Sequence, residues 1–422
     1  MSDDEKRELA AEEEQRESVP GRKPGEYAPS VAERLDFYQR AGGLVTPLMT
    51  ALIAFLIGGL VVLASGSNPF STYKAIFNGT GLNWLFPWVT GATRTTAALN
   101  LQQTLLLTTP LILCGLAVAF AFRCGMFNIG GEGQYLVGSI IAVWIGSSFL
   151  KMNGPLHIIL AIVVASIAGG LYAGLAGFLK ATVGAHEVIS TIMLNWIAIW
   201  VGSWLFQLGG PLQSKAQDAS VPVSNDIATK AHLHVFWGDP VLQGLHIGLF
   251  IALAGLVVYW LTLSRTTLGY EVRAVGFNPE AARYGGISVR RSYFLAMAIA
   301  GTFAGLAGAV DILGWEFRLN VNDIQASNIG FIAIAVALLG RNTAVGVFFS
   351  ALLFGALLNG TSTRNLDPSI FRPDLASNLT LIIQGLVVLF VGADVLVLWI
   401  WNQRRRLRLR REAPPAGAVQ SP

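Results

Sequence analysis

The chain has 422 residues, of which 53% are apolar and 13% charged, with two cysteines and a formal net charge of +4. The charges gather at the two ends, and between them lie many apolar windows of about 20 residues, the length that crosses a hydrocarbon core of ~30 Å. This composition argues against a soluble all-helical core, and the continuous rather than alternating apolar runs exclude a membrane β-barrel. Cys114 and Cys124 suggest neither a disulfide framework nor a metal site, and the charge does not point to nucleic acid.

Residues 1–40 are charged and carry Pro20, Pro24 and Pro29, so they read as a disordered cytoplasmic tail rather than a secretory signal. Residues 41–402 read as an all-α polytopic membrane domain of ten spans. The first five are Thr46–Ser65, Gln102–Phe122, Gly133–Leu150, Pro155–Leu179 and Glu187–Leu208. The second five are Gly244–Leu263, Tyr293–Leu313, Ala326–Leu339, Thr343–Asn359 and Asn378–Trp401. Asn68–Leu101 reads as a link, with Trp84 and Trp88 as interfacial anchors. The polar segment Gly209–Gln243 is expected outside. Residues 403–422 form a basic tail with six arginines between Arg404 and Arg411. Basic residues concentrate in alternate links and in this tail, which places both termini in the cytoplasm, as an even number of spans requires.

One stretch interrupts the apolar pattern. Gly125–Gln134, GMFNIGGEGQ, holds four glycines with Asn128, Glu132 and Gln134 between two long apolar runs. Glycine releases the chain from regular helix, and a carboxylate at membrane depth faces protein or a water-filled cavity. Broken helices with polar residues at the break are how many transporters build a substrate site. Glu187 and Asn195 lie eight residues apart, about two helical turns, on nearly one face of the fifth span. These five polar residues are the candidate substrate path. Asn328 and Asn359 read as interhelical hydrogen-bonding groups. His186, Asp311 and Glu316 fall near span ends, where solvated roles are expected, and no constellation suggests hydrolysis or group transfer.

The basic segment Ser264–Ser292 contains its own helix signals. Asn278 suits an N-cap, Pro279 the first turn and Glu280 the positive end of the dipole, while Gly285 and Gly286 stop the helix. A short capped helix flanked by Arg273 and Arg283 is therefore expected on the cytoplasmic face.

GMFNIGGEGQ and EVRAVGFNPEAARYGGI together resemble the permease subunits of ABC importers, in the branch that serves ribose-type sugars, branched-chain amino acids and nucleosides. HEVISTIMLNWIA (His186–Ala198) and IGFIAIAVALLGRNTAVG (Ile329–Gly346) are similar to two further segments of that family. The first motif most resembles nucleoside-uptake permeases, and the aspartate–leucine–serine signature of ribose-type permeases is absent from it. The resemblance implies a coupling element that enters a groove on an ATPase subunit, with Arg273, Asn278, Pro279, Glu280, Arg283 and Gly285 at the contact. It also implies a second permease, an extracytoplasmic binding protein, a bacterial plasma membrane location and two related halves of opposite orientation. No cofactor is implied. The chain has no Gly-Lys dipeptide and hence no phosphate-binding loop, so ATP hydrolysis would belong to a partner. A sugar or branched-chain amino acid permease, or a self-powered secondary transporter, are the alternatives.

Overall fold

The structure, a computed structural model, describes residues 51–215, 221–239 and 244–362, with isolated positions between 378 and 389. The expected N-terminal tail and arginine-rich tail, and all but those isolated positions of the tenth span, lie outside the described residues.

After α1 (Ala51–Ala64), Asn68 starts a second helix where a link was expected. Its side chain accepts the Phe70 N–H, Pro69 fills the first turn of α2 (Pro69–Thr80), and Gly81 closes the helix at φ 74°. Cap, proline and terminal glycine are sufficient local instructions. A 3-10 turn over Leu82–Leu85 leads into α3 (Gly91–Arg123), which starts well before Gln102. Its polar first turns are held to α2, with Asn100 Nδ2 donating to the Asn78 carbonyl at 3.3 Å and the Thr104 hydroxyl to that of Thr80 at 2.7 Å. From Leu111 to Ala121 every residue of α3 is buried, making it the axis of the bundle.

Three helices follow: α4 (Gly131–Ser148), α5 (Gly154–Val183) and α6 (Glu187–Phe206). A polar excursion carries the short antiparallel strands β1 (Val235–Trp237) and β2 (Leu245–His246). Next come α7 (Gly248–Arg265), α8 (Thr267–Phe277) and α9 (Pro279–Tyr284). Helix α10 (Val289–Asp311) widens into a π turn over Ile312–Glu316. The expected eighth span, Ala326–Leu339, is α12 (Ile329–Leu339), and a short helix, α11 (Val321–Ala326), precedes it across a break at Ser327 and Asn328. At 11 residues, α12 is ~16 Å long, about half a hydrocarbon core. Helix α13 (Ala344–Gly360) completes the described bundle.

Among the described residues six helical stretches are long and apolar enough to cross a membrane: Gly91–Arg123, Gly154–Val183, Glu187–Phe206, Gly248–Arg265, Val289–Glu316 and Val321–Leu339. The chain is thus a polytopic helical membrane protein.

The most extensive seam joins α5 to α10, with α4 beside it. A Cβ on Gly301 would stand 2.3 Å from the Gly169 carbonyl oxygen, and one on Gly138 would stand 2.4 Å from that of Gly305. Small residues let membrane helices approach at backbone distance, where packing supplies the attraction that apolar burial cannot. Gly305→Leu is therefore expected to cost upwards of about 3 kcal/mol, because backbone on both sides cannot give way. Size-exclusion of detergent-extracted protein checks this: the monodisperse peak should be lost, and a wild-type profile would show that the seam yields.

Candidate functional site at a junction of two helix N-termini

Helix α3 ends at Arg123, and Gly125 reverses the chain in the left-handed region at φ 73°. The Met126 N–H returns to the Ala121 carbonyl at 3.1 Å. This turn rests directly on α8, where a Cβ on Gly276 would stand 2.3 Å from the Arg123 carbonyl oxygen. The Arg123 guanidinium donates twice to the Asn342 carbonyl, at 3.0 and 2.7 Å, and the Tyr259 hydroxyl donates to the same oxygen at 2.7 Å. The start of the glycine-rich stretch is therefore fastened to α8, to α7 and to the α12–α13 turn.

Beyond the turn the chain stays non-helical until Gly131. Asn128 and Gln134 close on each other, each amide donating to the other's oxygen at 3.0 and 2.9 Å, and Asn128 Oδ1 also accepts the Gly130 N–H. Asn195 reaches across from α6, accepting the Gly133 N–H at 2.8 Å and donating to the Ile129 carbonyl at 2.9 Å. These amides supply the hydrogen bonds that the broken backbone lacks.

Glu132 is fully buried in the first turn of α4. Its Oε2 accepts the Gly330 N–H of α12 at 2.8 Å. The carboxylate thus sits at two helix N-termini at once, where unpaired N–H groups and the helix dipole favour negative charge. The approach depends on Gly330, since a Cβ there would stand 2.1 Å from the Glu132 nitrogen. The other oxygen, Oε1, and the nearby Ser327 hydroxyl make no hydrogen bond of ordinary geometry. The same tripeptide, Asn128-Ile129-Gly130 and Asn328-Ile329-Gly330, stands at the start of both α4 and α12, and their first turns abut. Sequence reasoning missed this repeat, although the two copies stand 200 positions apart in plain view.

The junction brings together Asn128, Glu132, Gln134 and Asn195 but leaves Glu187 apart. Glu187 pairs with Lys180 at 2.7 Å, tying α6 to the end of α5. Asn359 ties α13 to α2 and α3, donating to the Gly79 and Asn100 carbonyls at 3.1 and 2.8 Å. Asp311, expected to be solvated, is instead buried, and its carboxylate accepts the Tyr135 hydroxyl and the Trp315 indole N–H.

In the basic segment a pair of helices replaces the single one expected. The Thr266 side chain caps α8, and Asn278 Oδ1 caps α9 by accepting the Glu280 and Ala281 N–H groups at 3.0 and 3.1 Å. Pro279 occupies the first turn of α9, Gly285 follows its last, and Arg273 donates to the Gly269 carbonyl within α8. Glu280 and Arg283 pair at 3.3 Å on an exposed face. Phe277 and Tyr284, overlooked in the sequence, flank them at 91% and 94% exposure.

A family model described as "Branched-chain amino acid transport system / permease component" matches residues 100–392. The chain is 36% identical to a Bacillus subtilis protein named guanosine ABC transporter permease protein NupP, over 87% of this chain and 98% of the relative. It is 32% identical to the nucleoside ABC transporter permease protein NupB of Lactococcus lactis, over 84% and 92%. It is equally 32% identical to the glucose ABC transporter permease protein TsgB13 of Haloferax volcanii, over 82% and 86%. No solved structure matches the chain.

Proposed function

The chain belongs to the family of branched-chain amino acid transport system permease components, and on that premise we propose that it is the membrane subunit of an ATP-binding-cassette importer of nucleosides. The observation that carries the substrate class is the likeness to guanosine and nucleoside permeases over more than four-fifths of this chain. As a permease it is a transport component rather than an enzyme, and a partner ATPase would supply the energy. A second permease and an extracytoplasmic binding protein would complete the assembly in a bacterial plasma membrane.

The α4–α12 junction is the core of the translocation path in this reading. Two helices meeting at their N-termini, each after a break that carries the same tripeptide, fit the related halves of a transporter, whose corresponding helices break at the site. Asn128, Gln134 and Asn195 hold the break in shape, and Glu132 couples one half to the other. Glu187 belongs to the frame of the path through its pair with Lys180.

Uptake in cells tests the substrate. Labelled guanosine should enter and be displaced by unlabelled nucleosides but not by glucose or leucine; displacement by glucose alone would move the assignment to a sugar. Ten spans with both termini in the cytoplasm complete the reading. Both native cysteines are buried, so a cysteine placed at Asn225 reports alone. A membrane-impermeant thiol reagent should label it from outside in intact cells, and labelling only from the cytoplasmic side would invert the topology.

A further inference from the structure

We propose that the outer end of α10 carries a nucleoside-recognition pocket, with Trp315 lying against the base and Glu316 accepting the ribose hydroxyls. The assignment rests on the nucleoside-importer reading above. Two cavities of about 370 and 500 Å³ share Trp315, Glu316 and Arg318 in their walls. Both fall within the range of about 300–1,000 Å³ typical of small-molecule sites. Asn320 and Asp323 close one, and Thr229 and His232 close the other.

The backbone here is unusual in two respects. Helix α10 loosens into a π turn, and Phe317, not a glycine, follows at φ 59°. Both conformations cost free energy and gather at functional sites. The surroundings hold them in place. His232 stacks on the Phe317 ring at 4.0 Å, and the Ile227 N–H donates to the Phe317 carbonyl at 2.9 Å. Burial lowers the His232 pKa, so the ring stacks as neutral imidazole at pH 7.

The wall chemistry selects the ligand. Trp315 is pinned through its indole N–H to Asp311, and Asp311 is in turn held by Tyr135. A rigid indole beside a cavity offers a planar ring a stacking face at small entropic cost. Arg318 lines both cavities and stands 3.9 Å from Asp226. Among the described residues the Glu316 carboxyl group makes no hydrogen bond or ion pair, although it lines both cavities. A carboxyl group left without a partner at a cavity calls for hydroxyl or amine groups to complete its hydrogen bonds. A flat base with a hydroxyl-bearing ribose satisfies both walls.

Tyr135 also links this pocket to the junction, because it lies three residues after Glu132 on α4, ~4.5 Å along the helix. Substrate accepted at the outer cavities would thus bear on the helix that carries the break.

The test uses the assembled importer in proteoliposomes with its binding protein. Glu316→Gln and Trp315→Leu should each slow guanosine transport about tenfold, the scale of a lost hydrogen bond or stacking face. Trp315→Phe should retain most of the rate, and each variant should keep the wild-type elution profile and basal ATPase rate. Wild-type guanosine transport by both Glu316→Gln and Trp315→Leu would overturn the pocket while leaving the importer reading intact. A wild type that moves glucose and no nucleoside would overturn the substrate reading, and with it the occupant named here.

Discussion

Glu132→Ala should reduce uptake about a hundredfold while the subunit still assembles. The carboxylate occupies the first turn of α4 and accepts the Gly330 N–H of α12 at 2.8 Å, so it is the charge that two helix N-termini share. Alanine leaves a buried donor unpaired, worth ~1–3 kcal/mol, and removes a charge–dipole interaction of ~1 kcal/mol or more. A total near ~3 kcal/mol shifts a two-state equilibrium by about a hundredfold. Glu132→Gln keeps an acceptor and should lose less. Asn128→Ala should behave like Glu132→Ala, since it frees the Gly130 N–H and both polar ends of Gln134. The measurement is labelled-nucleoside uptake, normalised to membrane-embedded protein by immunoblot. Wild-type uptake by both alanine variants would reduce this stretch to a loop.

The sequence was most readable where a single residue type decides the backbone. Asn278 with Pro279 announces the start of α9, and Asn278 does cap it. The same pair of residues, Asn68 and Pro69, starts α2, yet it was passed over because the surrounding composition is polar and short of a span. Glycine spacing marked the break before α4. The matching break before α12 carries no glycine run, and only the repeated Asn-Ile-Gly betrays it. Long-range partners were the least legible. Nothing local says that Glu132 meets Gly330, or that Asp311 turns inward to Tyr135, because those contacts join residues nearly two hundred positions apart. Glu187 shows the converse error: helical periodicity put it on the same face as Asn195, but Lys180 lay closer and took the carboxylate.

Disruption of α9 should separate ATP hydrolysis from transport, because the path from this helix to the junction is short and stiff. The Asn278 cap makes α9 a rigid projection, and Phe277, Glu280, Arg283 and Tyr284 present its exposed face. From α9 the chain runs straight back into α8, and Gly276 near its end packs on the Arg123 carbonyl, one residue from the turn that opens the glycine-rich stretch. In the proposed reading a push on α9 would reach Arg123, and through its bonds to the Asn342 carbonyl it would reach the α12–α13 turn as well. Both helices of the junction would then be driven from one point. Replacing Glu280 and Arg283 together by alanine removes an exposed pair worth no more than ~0.5 kcal/mol to folding, so the subunit should remain in the membrane. Adding Tyr284→Ala strips the larger contact, and the partner ATPase should then be lost on purification. Gly276→Val acts differently: the ATPase should stay bound, but the wedge against Arg123 should cut uptake at least tenfold per ATP hydrolysed. The two classes are separated by co-purification of the ATPase, scored beside uptake and ATPase rate. Uptake in cells depleted of ATP but holding a proton gradient supplies the remaining arm. Transport should stop there, and transport that persists on the gradient alone would identify a secondary transporter instead.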